Sequence, residues 1–249
     1  MLKKKENIKK LNDYMHPMHP LVINNLTFRK DKNIIIDDIN ISLPLNGLTV
    51  ILGPNGSGKS VLLKLIHGLL RPTLGNIKWG NVSINKDIRK KQAMVFQKPV
   101  LLRRSVAANI DFVLKPQKDK AKIIRDKLLK DVNLLNKSSM PARLLSGGEQ
   151  QRLVIARALA LGPSVLLLDE PSLNLDPVST FKVEKIILEA YKSGMRVILV
   201  THDIGQAKRL ANYIVFLNAG KIIEYKPSKS FFSNPSSKEA KFYLDGKMI

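Results

Sequence analysis

The chain has 249 residues, 44% of them hydrophobic, enough to bury a large core as one domain or as a core with a subdomain. It contains no cysteine, which excludes disulfides and thiolate-bound metals, and its longest apolar runs, such as Val165 to Leu168 and Val197 to Val200, fall far short of the roughly 20 residues that cross a bilayer. The formal charge of +22 suits a binder of nucleic acid or anionic lipid, or equally a chain whose lysines are spread over solvated helix faces.

Residues 1–20 carry Lys3, Lys4, Lys5, Lys9 and Lys10 and read as a basic, mobile tail. No apolar segment follows, so a secretory signal is not expected and the chain should stay in the cytoplasm. Leu21 to Phe28 and Ile34 to Leu43 alternate apolar and polar residues, as strands of a half-exposed sheet do. Leu48 to Leu52 is a short buried strand that stops at a glycine-rich turn. The apolar segment Val61 to Leu70 then predicts a helix, ended by Arg71 and Pro72. From Pro99 to Leu161 the pattern is mostly helical, with Ile123, Ile124, Leu128 and Leu135 predicted on one apolar face and lysines opposite. Strands return at Val165 to Leu168 and Arg196 to Val200 around a helix from about Val178 to Tyr191, the alternation that builds a parallel sheet. A hairpin across Asn218, Ala219 and Gly220 and a short helical end close the chain.

Between the first buried strand and its helix lies Gly53-Pro54-Asn55-Gly56-Ser57-Gly58-Lys59-Ser60, which fits the phosphate-loop pattern G-x-x-x-x-G-K-[ST] in the context that pattern needs. Backbone N–H groups can converge there on phosphate oxygens, Lys59 can reach the β- and γ-phosphates, and the Ser60 hydroxyl can ligate Mg²⁺. Val165 to Leu168 delivers Asp169 and Glu170 at the strand edge where α/β sheets bind ligands. Such an edge is also common in structural roles. Beside a phosphate loop, Asp169 suits the Mg²⁺ shell and Glu170 the activation of water. His202 follows the next strand, in Thr201-His202-Asp203, and should emerge on the same edge as a donor to the γ-phosphate.

Leu145-Ser146-Gly147-Gly148-Glu149-Gln150 opens a helix, Glu149 to Leu161, and resembles the LSGGQ-type signature of ABC ATPases. The resemblance runs from about Leu21 to Gly246. It implies a P-loop NTPase α/β core with a mixed or parallel sheet, an N-terminal antiparallel β subdomain and a helical subdomain inserted at about 99–161, all within one domain spanning 21–249. It also implies that Gln97, in Val95-Phe96-Gln97-Lys98-Pro99, senses Mg²⁺ and the attacking water. Ser172 to Asp176 is similar to the loop that lies across the dimer interface, and His202 to the switch histidine. Ser146, Gly147 and Gly148 of one subunit would then close on the γ-phosphate of ATP held by the other, in a homodimer or heterodimer.

Compact spacing between Ser60 and Ser146 disfavours the chromosome and DNA-repair relatives, which carry large insertions there. The alternative function is a soluble ABC ATPase acting on nucleic acid or ribosomes; nucleic acid is not the expected partner. Two departures from the family pattern stand out. Lys30 occupies the usual adenine-stacking aromatic position, with Phe28 two residues earlier, and Val61 replaces a threonine that commonly contacts the α-phosphate.

Lys98 to Val106 falls where the permease of such transporters docks. Its leucines and arginines suit a partner helix with apolar and acidic groups, or a surface loop entering a helix capped by Ser105. With Phe231-Phe232-Ser233-Asn234-Pro235, this stretch resembles ATPases of bacterial importers that use a solute-binding protein. The implied cargo is tungstate or a related inorganic anion, with phosphate or a polar amino acid as alternatives. The resemblance places the chain peripherally on the cytoplasmic face of the inner membrane, beside an integral permease.

Overall fold

The computed structural model describes residues 20–44, 46–114 and 120–247, so the basic segment read as a tail lies outside them apart from Pro20. The chain opens with β1 (Leu21–Lys30) and β2 (Asn33–Leu43), then β3 (Thr49–Leu52) and α1 (Lys59–His67). There follow β4 (Leu74–Trp79), β5 (Val82–Ser83), α2 (Lys86–Lys90) and β6 (Gln92–Val95). Three helices, α3 (Val106–Leu114), α4 (Ala121–Asp131) and α5 (Gly147–Leu159), separate β6 from β7 (Val165–Asp169). The chain ends through α6 (Pro177–Lys192), β8 (Arg196–Thr201), α7 (Ile204–Leu210), β9 (Tyr213–Asn218), β10 (Lys221–Pro227), α8 (Ser228–Ser233) and α9 (Lys238–Leu244).

Two sheets result. The smaller, in the order β2-β1-β4-β5, is antiparallel throughout. The larger runs β10-β9-β3-β8-β7-β6 and is parallel except for β10, which returns from β9 as a hairpin. Ala219 and Gly220 form the two-residue turn with φ of 46° and 79°, the paired positive values a type I′ hairpin requires.

The central strands are continuously apolar because both of their faces are covered. Leu166 and Leu168, Val197 and Leu199, Ile214 and Phe216 point into one cluster, shared with helices α3 to α7. Their neighbours Val165, Leu167, Ile198, Val200, Val215 and Leu217 point into a second cluster, shared with α1 and the small sheet. Arg196 fastens the two sheets at their far end. Its guanidinium lies 5.0 Å over the buried Trp79 ring and donates to the Leu43 carbonyl at 3.1 Å, and burial lowers its pKa to about 10.

The structure alters three sequence readings. Helix α1 begins at Lys59 and stops at His67, ahead of Leu70, because Gly68 turns left-handed at φ 83° and its N–H closes on the Lys64 carbonyl. On α4 the inward face is Ile124, Leu128 and Leu129. Ile123 is 72% exposed, and Leu135 lies beyond the helix in a short 3₁₀ turn. A 3.6-residue period cannot bury both Ile123 and Ile124 on one narrow stripe. Finally, α5 begins at Gly147 rather than Glu149, because Ser146 caps it, and β4, β5, α2 and β6 fill a stretch for which no element was expected.

Candidate functional site

The carboxyl ends of β3, β7 and β8 lie side by side in the parallel sheet, and the chain supplies reactive groups at each. After β3 the loop from Gly53 to Gly58 feeds α1. Gly58 is the N-cap at φ 100°, and a Cβ there would lie 2.9 Å from the Ile35 carbonyl, so no other residue fits without displacing the β2 backbone. The Ser57 hydroxyl is buried within this loop without a hydrogen-bond partner.

Lys59 is buried and its ammonium donates to the loop's own carbonyls, Gly53 O at 2.8 Å and Pro54 O at 2.7 Å. Burial lowers its pKa, opposed by the charges of Glu170 and Asp169. The next residue, Ser60, donates from Oγ to Asp169 Oδ1 at 2.7 Å. Burial raises the Asp169 pKa, while the Ser60 hydrogen bond and the nearby Lys64 and Lys59 act against it. These two oxygens are hard ligands of the kind Mg²⁺ takes. Among the described residues no cluster of three or more His, Cys, Asp or Glu could hold a metal. A cation here would complete its shell with nucleotide phosphates and water, as Mg²⁺ ordinarily does.

Glu170 follows directly with φ 46°, a left-handed conformation that is strained for a non-glycine residue. Its N–H is pinned to the Val200 carbonyl at 2.9 Å, and this turns the side chain toward His202, whose Nδ1 lies 2.9 Å from Glu170 Oε2. A carboxylate can only accept, so the proton of this pair sits on Nδ1. The structure thus brings Lys59, Ser60, Asp169, Glu170 and His202 onto one edge. Gln97 lies just past β6, one strand from β7, and is exposed.

Ser146, Gly147 and Gly148 sit apart from that edge, at the start of α5. Ser146 caps the helix by accepting from Glu149 N, and Glu149 returns a bond to Ser146 N at 3.1 Å, the reciprocal capping box. A Cβ on Gly148 would collide with Ser179, and one on Gly147 would touch Leu175. The signature therefore packs against the segment Ser172 to Asp176 and the start of α6, which Asp176 caps through Ser179 N at 2.9 Å. The two adenine-side candidates part company: Lys30 is exposed, and Phe28 is half-buried against the second core cluster.

The sequence reading missed two sets of residues. Gln206 donates to Ser172 Oγ at 2.5 Å and lies 3.4 Å from Glu184, which is itself held by Arg209 at 2.6 Å. This buried group ties the Ser172 segment to α7, the helix that follows His202. No local signal marks them in the sequence, because the need to pair arises only when packing buries the glutamine and the glutamate. Tyr243 on α9 also reaches the site, donating to the His202 carbonyl at 2.7 Å. It is too distant in sequence for any local pattern to show this.

Comparisons with known proteins agree with this arrangement. A family model described as ABC transporter matches residues 36–173. The phosphate import ATP-binding protein PstB of Thermotoga maritima is 35% identical, over 93% of this chain and 100% of that protein. PstB 1 of Ligilactobacillus salivarius is 38% identical, over 88% and 89%. Among solved structures, cbiO1 from Clostridium perfringens, part of the ABC transporter complex cbiONQ, superposes with a TM-score of 0.80 at 28% identity, covering 91% of this chain and 95% of that one. The dimeric ATP-binding cassette MJ0796, in a post-hydrolysis state bound to ADP and Pi, gives 0.75 at 28% identity, covering 84% and 98%.

Proposed function

The chain belongs to the ABC transporter family as an ATP-hydrolysing subunit, and from that premise we propose that it powers import of an inorganic oxyanion, phosphate before tungstate, through a separate membrane permease. The observation that carries the hydrolytic part is the Glu170–His202 contact beside Lys59, Ser60 and Asp169. The loop amides and Lys59 hold the β- and γ-phosphates. Ser60, Asp169 and Gln97 would hold Mg²⁺, which would supply positive charge against that building on the transferred phosphoryl group. Glu170 takes the proton of the attacking water, and His202 keeps that carboxylate oriented by donating its Nδ1–H to it. Ser146, Gly147 and Gly148 of a second copy complete each site.

The cargo reading is supported by relatives whose names specify phosphate import and which match along most of this chain. Tungstate, the first expectation from short stretches of sequence, is not specifically supported by these relatives. Uptake of radiolabelled phosphate into membrane vesicles containing the assembled transporter tests the assignment. Excess unlabelled phosphate is expected to abolish ATP-dependent uptake, while tungstate or glutamine is not. Absence of ATP-dependent phosphate uptake, with labelled tungstate or a labelled amino acid taken up instead, would refute the phosphate assignment. A protein that sediments with ribosomes and never with membranes would refute the transporter reading altogether.

Among the described residues no helix is long and apolar enough to cross a membrane, in keeping with a peripheral subunit on the cytoplasmic face. We place the permease contact at a cavity of about 440 Å³ lined by Arg103, Arg104, Ser105, Ser139, Pro141 and Arg143. Ser105 also caps α3, its Oγ accepting from Ala108 N at 3.2 Å. Three arginines beside the exposed Val100 suit an apolar helix carrying acidic residues. Reversing Arg103, Arg104 and Arg143 to Glu together is expected to lower uptake by about tenfold or more, since like charges facing one another across an interface cost several kcal/mol. ATPase activity of the isolated subunit should stay near wild type. Equal losses in both assays would contradict this placement.

A further inference from the structure

We propose that Tyr243 is a positioning residue for hydrolysis: its hydroxyl fixes the backbone of His202 so that the imidazole stays on Glu170. The helix carrying it is firmly set. Ser237, the N-cap of α9, is held through both its N–H and its hydroxyl by Glu224 Oε1 at 2.5 and 2.6 Å, and Glu224 is buried on β10. The Tyr243 ring packs on Phe216 with centroids 5.3 Å apart, and Phe216 in turn meets Phe231 at 5.8 Å. From this anchored helix the hydroxyl reaches His202 O at 2.7 Å, with Gly53 O farther away at 3.3 Å. A phenol has one proton, and the shorter contact takes it.

Burial, with Glu170 and Asp203 adding to it, pushes the Tyr243 pKa up to about 12, so the group remains a neutral donor at any pH at which transport operates. His202 is then held from two directions. Its carbonyl is fixed by Tyr243, and the following Asp203 is locked as the cap of α7 through Gln206 N at 3.0 Å. The ring itself is the loosely covered part, 38% exposed, so the backbone bond on one side and Glu170 on the other define where Nδ1 points. Helix α9 thereby acts on the chemistry through the backbone of His202.

This inference rests on the assignment of hydrolysis to Glu170 and His202, and Tyr243→Phe tests it because the ring and its packing on Phe216 are retained. In the full chain, the variant is expected to lose about fivefold in single-turnover hydrolysis, the worth of one hydrogen bond, with ATP affinity within about twofold and little change in Tm. In a His202→Ala background the same substitution should cause no further loss. Unchanged hydrolysis in Tyr243→Phe, an equal loss in both backgrounds, or a loss confined to ATP affinity would overturn the proposal. If His202→Ala falls below detection, the His202 imidazole NMR resonances decide: they should move in Tyr243→Phe, and unmoved resonances overturn it. Full activity of His202→Ala would instead refute the assignment of the hydrolytic pair, whatever Tyr243→Phe does.

Discussion

Glu170→Gln is expected to lower steady-state ATP turnover by about 10²- to 10⁴-fold, the usual worth of a general base, while leaving ATP binding intact. The amide keeps the size of the side chain and can still meet His202, but it cannot take a proton from water. Phosphate-loop contacts do not pass through Glu170, because Lys59 and Ser60 are positioned by Gly53, Pro54 and Asp169. Substrate should therefore bind and remain uncleaved. Near-normal turnover with the permease present would show that another group activates the water.

Lys59→Ala is expected to act one step earlier, weakening ATP affinity by about a hundredfold, the loss of one or two charge-assisted hydrogen bonds to phosphate. The ammonium donates to two carbonyls of its own loop, in a buried setting that disfavours its charge. Its removal should consequently change Tm little. Calorimetric titration with ATP measures the effect, and an affinity within about twofold of wild type would contradict the role given to Lys59. The contrast between the two variants, one binding without cleaving and one failing to bind, separates the two halves of the site.

Much of this site was legible in the sequence because its parts are local. The loop Gly53 to Ser60, the acids closing β7 and the histidine closing β8 each sit where a strand ends, and strand ends can be read from apolar runs. The same holds for Ser146 with Glu149, since a capping box has fixed spacing. What was not legible is long-range or spaced against the pattern. Tyr243 meets His202 only because β10, Glu224 and Ser237 aim α9 back at the sheet. Gln206 and Glu184 look like ordinary surface residues until α6 and α7 pack together. The misread ends have local causes as well. Gly68 stops α1 before its apolar run is finished, and adjacent isoleucines on α4 offer a choice of face that sequence alone does not decide.

We propose that each ATP site is shared between two copies of the chain, and the mass of the Glu170→Gln variant in solution tests this most directly. Light scattering with saturating ATP and Mg²⁺ is expected to show a particle of twice the 27.9 kDa chain, and a single chain when ATP is withdrawn or Lys59 is also replaced by alanine. A variant that binds ATP at full occupancy and still runs as a single chain would contradict the shared site.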